Sequence, residues 1–481
     1  MNVAHPKRWH ALAVTQVAGF MTLLDVSIVN VALPTIERDL GASPATLQWV
    51  VSGYALTFGV ALVPAGRLGD LFGRRRMFLI ALTSFVLASA LTGAAPSTGL
   101  LIAARLLQGI AGGCLAPQNS GLVQELFRGA ERGRAFGILG ATIGLATAAG
   151  PILGGLILAA VPGVDGWRWV FYVNVPIGVL ALILAAKLVP PSERGPRVHL
   201  DLVGALLIGA GVGSLLLPLV EADSGGLRRM WWLLPLGAGL LAAFVRWEIR
   251  TARAGRSPLL DPRLVRTPGY AAGMTIITLY FMGFTGIWLV LALFFQNGLD
   301  YSPLRSGLAV TPFALGVAVS AVVAGRLVPR FGRLLTVLGL IAVTLGLLAV
   351  ALLLRAGSAG PWPTAVPLLV AGIGGGMVTA PNITLTLECV PVPMAGAAGG
   401  ALQTGQRIGS AVGTAILASV FYAVLAHTAQ DFRRAIWLTL LCACAFMLLA
   451  LAAAGLELWH RQHREVPARA AHEPHLAPHH V

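Results

Sequence analysis

The chain has 481 residues, 57% of them hydrophobic and only 11% charged, where a soluble domain carries roughly a quarter charged residues. Its formal net charge is +15 at pH 7, but the basic residues are spread along the chain rather than gathered into one patch, which argues against a nucleic-acid partner. Apolar stretches of about 20 residues recur between short charged or Pro/Gly-rich joints, the pattern of an all-α protein that crosses a membrane many times, with no room for a folded catalytic domain. No nucleophile elbow, phosphate loop, zinc spacing or dinucleotide fingerprint sits in a soluble region, so the chain is not expected to be an enzyme or an ATP-driven pump.

In chain order the apolar runs predict fourteen spans, at 11–34, 46–66, 77–96, 99–119, 133–160, 169–189, 200–220, 230–248, 269–294, 304–324, 334–354, 363–385, 396–425 and 434–457. The first follows Lys7 and Arg8 as a signal sequence would, yet it is too long, contains Asp25 and lacks a small-residue cleavage site, so it is expected to remain as a span. With both termini placed in the cytoplasm, only Arg38, Arg168, Arg228, Arg229, Arg305, Arg355, Arg433 and Arg434 fall in outside segments. Arg105 and Arg407 lie within spans and every other basic residue faces inwards, so the positive-inside rule fixes the orientation. Anionic lipid at the cytoplasmic face accounts for the excess positive charge.

Two stretches repeat. Gly66 to Arg74 (GRLGDLFGR) and Gly325 to Arg333 (GRLVPRFGR) share G-R-L-x-x-x-F-G-R, each closing one span and opening the next, and Gly109 to Gly113 (GIAGG) is followed at nearly the same offset by Gly372 to Gly376 (GIGGG). Spans two to four therefore correspond to spans ten to twelve. The predicted organisation is an N-terminal six-helix half (1–198), two inserted transmembrane helices with a cytoplasmic linker (199–268), a C-terminal six-helix half (269–458) and a disordered cytoplasmic tail containing His residues (459–481). Two parallel halves that rock about a midplane site are what alternating access requires.

Ionisable residues inside a membrane cost about 2.5–3.5 kcal/mol each on insertion scales, so those that occur are functional candidates. Asp25 in span one and Arg105 in span four fall at similar depth. Asp25 is a candidate proton-coupling carboxylate that helix motion brings nearer to or further from Arg105; the plainer alternative is a brace between helices. Arg105 has its own alternative, a hydrogen-bonding post for backbone carbonyls. Arg407 in span thirteen either meets an anionic substrate or holds helices together. Gly144, Gly150, Gly154 and Gly155 allow close helix approach, and Pro151 removes one helical hydrogen bond. Asp70 and Arg74, with Gly66 and Gly73, form a loop in which Asp70 can accept charge-assisted hydrogen bonds near a helix end. Asn30, Tyr54, Gln118, Asn119, Asn382, Gln403 and Gln406, with Arg407, are the polar candidates for a substrate cavity. Trp167, Trp169, Trp231 and Trp232 read as interfacial anchors. The four scattered cysteines have neither metal nor redox spacing, so no metal site is expected; the His residues of the tail are the one weak alternative.

Several of these stretches together resemble the fourteen-span drug:proton antiporter branch of the major facilitator superfamily, over nearly the whole chain. Gly66 to Met77 (GRLGDLFGRRRM) looks like its loop motif, Leu101 to Gly113 (LIAARLLQGIAGG) like its fourth-span Arg motif, and Gly150 to Gly155 (GPILGG) like its exporter motif. Leu23 to Pro34 (LLDVSIVNVALP) and Trp167 to Gly178 (WRWVFYVNVPIG) look like signatures of the branch itself. Pro329 stands where Asp70 stands in the first half, so any charge latch is expected on one side only. The resemblance implies a major facilitator fold and proton-coupled efflux of small amphiphilic or cationic compounds across a bacterial inner membrane. It also implies a proton relay through Asp25 and Arg105, a gate at Asp70 and a leak-suppressing seal at Gly150 to Gly155. The proton gradient would be the energy source without any cofactor; substrate, protons and lipid would be the partners of a monomer. Export of one physiological metabolite is the alternative, and a non-transporting membrane sensor a more distant one.

Overall fold

The computed structural model describes residues 6–191, 201–221, 225–256, 258–357, 361–428 and 430–470. All the regular secondary structure among these residues is helical. The N-terminal half comprises α1 (Arg8–Leu40), α2 (Pro44–Phe72), α3 (Arg74–Gly93), α4 (Thr98–Leu126), α5 (Gly129–Ala160) and α6 (Asn174–Leu188). Then come α7 (Leu202–Val220) and α8 (Leu233–Arg253). The C-terminal half is α9 (Pro268–Leu293), α10 (Pro303–Phe331), α11 (Arg333–Arg355), α12 (Pro361–Glu388), α13 (Ala395–His427) and α14 (Phe432–Ala470). Against the fourteen spans predicted from the sequence, twelve helices among the described residues are long and apolar enough to cross a membrane. The helices outside those twelve are α5 and α8, and the second half of α8 carries Arg246, Glu248, Arg250 and Arg253.

The last helix differs from expectation. α14 continues past Trp459 to Ala470, so the tail predicted to be disordered is helical that far, and 471–481 lie outside the described residues.

The internal repeat has a structural cause. Gly73 and Gly332 sit between α2 and α3 and between α10 and α11 with φ of 92° and 49°, a backbone region that side chains bearing a Cβ rarely adopt. The paired Gly-rich stretches then seat equivalent helices against each other. A Cβ on Gly109 would stand 2.5 Å from the Tyr54 carbonyl oxygen and one on Gly113 2.4 Å from that of Phe58, while one on Gly372 would stand 2.1 Å from that of Phe313. So α4 lies backbone-close on α2, and α12 on α10, which small residues permit and larger ones forbid.

The halves meet along two seams, α2 with α13 and α5 with α10. At the first, a Cβ on Gly66 would be 2.2 Å from the Gly396 carbonyl oxygen; at the second, one on Gly133 would be 2.4 Å from that of Gly325 and one on Gly137 2.7 Å from that of Ala321. α7 rests on α2 and α13 beside the first seam, and α8 packs on α7. Ser52 on α2 donates to Glu221 at the end of α7 at 3.1 Å.

The exporter-motif glycines divide between different neighbours. Gly144 faces Val317 of α10, whereas Gly150 faces Ser27 and Gly154 faces Ile28 and Val31, all on α1; Gly155 is exposed and faces open space. Pro151 lies within α5, its side chain outside the described residues. A Cβ on Gly150 would come within 2.0 Å of Ser27 Oγ. Gly150→Leu is therefore expected to abolish transport, and Gly137→Leu likewise through the α10 seam, with Gly155→Leu transporting at the parental rate; vesicle transport assays at matched expression check all three.

Candidate functional site

Three structured places hold the polar residues singled out by the sequence. The first is a buried cluster around Asp25, whose side chain is fully inaccessible, as are those of Gln108 and Ser89. α1 presents Asp25 towards α4, where Arg105 pairs with its Oδ2. Gln108, one turn further along α4, donates to Oδ1 at 3.0 Å, and Asn174 at the start of α6 donates to the same oxygen at 3.1 Å. Ser89 on α3 accepts from both amides at 3.1 Å and donates to the Phe171 carbonyl at 3.0 Å. Arg105 also donates to the Val50 carbonyl and to Gln108 Oε1, each at 2.9 Å, and its guanidinium lies 4.3 Å from the centroid of the Tyr54 ring. Four helices thus converge on one carboxylate. A buried charge needs this degree of compensation, since an unpaired one costs several kcal/mol.

The second place is a cavity of about 250 Å³ between the halves. Its walls are apolar and aromatic, with Phe58, Phe281, Phe284 and Trp288 prominent, and its polar groups include Asn119, Ser120, Gln403, Gln406 and Arg407. This fits a site for an amphiphilic molecule, in which a few polar groups set orientation within an apolar enclosure. Arg407 lies over the Phe58 ring, 4.3 Å from its centroid. Phe58 and Tyr54 are one turn apart on α2 with ring centroids 6.0 Å apart. A continuous line of contacts therefore runs from Arg407 in the cavity through Phe58 and Tyr54 to Arg105 and Asp25.

The third place is the end of the bundle where the two G-R-L-x-x-x-F-G-R loops lie. Asp70 accepts from the backbone N–H of Gly396 at 3.0 Å and of Ala397 at 2.9 Å, the first turn of α13, and from Arg74 at 3.0 Å. Arg74 in turn donates to the Gly121 carbonyl at 2.6 Å and reaches Glu125 at 3.4 Å. A carboxylate of one half so caps a helix of the other, where its charge complements the helix dipole. The one-sided expectation needs refinement. Arg333, the counterpart of Arg74, is also buried and pairs with Glu457 of α14 at 2.6 Å and with Asn382. A carboxylate is present in the second half, but it arrives from the last helix and pairs with Arg333 of the same half.

Of the predicted cavity residues, Asn119, Gln403, Gln406 and Arg407 line the cavity and four do not. Asn30 is exposed. Tyr54 donates to the Thr22 carbonyl at 3.0 Å beneath Arg105. Gln118 donates to the Ala65 carbonyl at 2.8 Å behind the α2–α4 contact. Asn382 binds Arg333 and the Gly273 carbonyl, the latter at 2.9 Å. Polarity within a span marks them as constrained, but helix rotation decides whether the constraint is a ligand or a backbone carbonyl. Trp167 is likewise no interfacial anchor: it is fully buried and its indole donates to Asp39 at 2.8 Å, while Trp169, Trp231 and Trp232 are exposed. The partners of Asp25 that sequence reasoning missed had partial signals, since Gln108 sits three residues from Arg105 and Asn174 lies inside a quoted motif; Ser89 had none.

Residues 17–414 match the profile of the family described as Major Facilitator Superfamily. The chain is 38% identical to the "Probable actinorhodin transporter" of Streptomyces coelicolor over 88% of its own length and 74% of that protein. It is 39% identical to the "Puromycin resistance protein pur8" of Streptomyces alboniger over 86% of its length and 82% of that protein. The fold is similar to the solved structure of the proton:xylose symporter XylE, with a TM-score of 0.67 at 15% identity, covering 94% of this chain and 95% of that one.

Proposed function

Because the chain belongs to the Major Facilitator Superfamily, and is thus a multi-pass membrane transporter and not an enzyme, we propose that it is a proton-coupled exporter of small amphiphilic compounds, antibiotics among them. The observation that carries this reading is the Asp25 cluster, a carboxylate buried in one half, compensated by three donors and joined to the inter-half cavity through Tyr54, Phe58 and Arg407. A proton on Asp25 removes the charge that holds Arg105. Arg105 then loses its reason to stay over the Tyr54 ring, and the disturbance reaches the cavity wall at Phe58. Substrate in the cavity presses on the same wall from the other side, which is how one equilibrium can bias the other. The relatives' names, transport of actinorhodin and puromycin resistance, support export of antibiotic-like molecules.

In this reading the proton gradient is the only energy source and no cofactor takes part. The chain is a monomer in a bacterial inner membrane, with fourteen crossings and both termini in the cytoplasm. The 32-residue length of α5 and its place between α1 and α10 support a span there; α8, with 21 residues packed on α7, supports the other. The Asp70 latch then closes the cytoplasmic end. Inverted vesicles with an imposed pH gradient and a pH-sensitive dye test the function directly with a panel of cationic, neutral and anionic aromatic amphiphiles. At least one compound is expected to dissipate the gradient in step with its own uptake. Uptake that leaves the gradient intact for every compound would remove proton coupling from the account.

A further inference from the structure

Resting on the reading of the inter-half cavity as the substrate site, we propose that it selects anionic amphiphiles, molecules with a carboxylate or phenolate on an aromatic body. Among the described residues Arg407 is the one charged group lining the cavity, and no Asp or Glu lines it. Its contact is the face of Phe58, an aromatic ring that neutralises no charge. Two more donors share the cavity without a hydrogen-bond partner among the described residues: the indole N–H of Trp288 on α9 and the amide nitrogen of Gln406 beside Arg407 on α13. Neither Arg nor Trp can accept a hydrogen bond, so what these groups lack is an acceptor. A buried donor left unpaired and a guanidinium in an apolar enclosure both carry a desolvation cost that a ligand bringing negative charge and acceptor oxygens removes.

A cationic ligand meets the opposite situation. It would add a like charge beside Arg407, and Asp25, the acid linked to the cavity through Tyr54 and Phe58, is not part of the wall: both its oxygens are occupied by Arg105, Gln108 and Asn174 inside the N-terminal half. The aromatic side chains Phe281 and Phe284 complete an enclosure suited to a flat ring system. Thr285 and Ser410, hydrogen-bonded to each other at 2.8 Å, join the two helices that carry Trp288 and Arg407, so a ligand reaching both donors would bridge that contact.

The test is binding to the full chain in lipid nanodiscs, by calorimetry, of three matched probes: 1-naphthylacetate, 1-naphthylacetamide and 1-naphthylmethylammonium. The carboxylate is expected to bind about tenfold or more tighter than either of the others, the size of a charge-assisted hydrogen bond. Arg407→Gln is expected to bring it down to the amide's affinity, and Arg407→Lys to keep part of the preference. Should Arg407→Gln fail to fold, Trp288→Phe reports independently, with a several-fold loss confined to the carboxylate. Carboxylate binding no stronger than the amide's, tighter binding of the ammonium probe, or a preference that survives both variants overturns the proposal. Those outcomes leave gradient dissipation in vesicles untouched, so failure of anion selection and failure of proton-coupled export are told apart.

Discussion

Asp25→Asn is expected to reduce gradient-driven uptake to background while substrate exchange without a gradient persists. Asparagine has the shape of aspartate, but it replaces an acceptor oxygen with a donor where Arg105, Gln108 and Asn174 all donate. It also leaves the Arg105 guanidinium buried without its counter-charge, at a cost of about 3–5 kcal/mol. Loss of function alone would therefore be ambiguous. The double variant Asp25→Asn/Arg105→Gln resolves it, because it removes both charges and recovers stability but cannot recover the carboxylate. Melting temperature restored with gradient-driven uptake still absent places proton coupling in the Asp25–Arg105 pair. Gradient-driven uptake at the wild-type rate in the single variant would instead reduce Asp25 to a brace between helices.

Asp70→Asn is expected to open the loop end of the bundle and to slow turnover while substrate affinity is kept. Asp70 holds two backbone N–H groups at the start of α13 together with Arg74, and hydrogen bonds of this charge-assisted kind are worth about 1.5–3 kcal/mol. Weakening one shifts the ratio of closed to open molecules by roughly tenfold to a hundredfold. Spin labels at the exposed positions Phe72 and Phe331, one on each gate loop, would read this as a shift of the distance distribution to longer values. The labelled protein needs its four native cysteines replaced first. The corresponding change in the second half, Glu457→Gln, destabilises the pair with Arg333 without lengthening that distance, because Glu457 lies within its own half. Equal distance shifts from both variants would show that the latch is not carried by Asp70.

Much of this was legible in the sequence because a membrane leaves few solutions. Apolar length and scarce charge imposed a helical bundle, the repeated G-R-L-x-x-x-F-G-R loops exposed two related halves, and Gly73 and Gly332 are there because their backbone requires positive φ. The pairing of Asp25 with Arg105 could be foreseen from depth alone, since two opposite charges in hydrocarbon have few ways to be satisfied apart. Rotation about each helix axis is where such reasoning ended. Asn119 reaches the cavity while its repeat counterpart Asn382 binds Arg333; Gln118 turns to a backbone carbonyl; Trp167, read as an anchor, is core. The glycines of one motif serve two different neighbours for the same reason, α5 passing from α10 to α1 along its length. The sequence by itself determined that the chain spans a membrane as paired helical halves, because composition and local backbone demands act residue by residue. Only the tertiary structure decided that the acid Asp25 is withdrawn into one half and that, among the described residues, the cavity keeps a lone cation, because which face of a helix meets which neighbour is settled by packing between helices far apart in the chain.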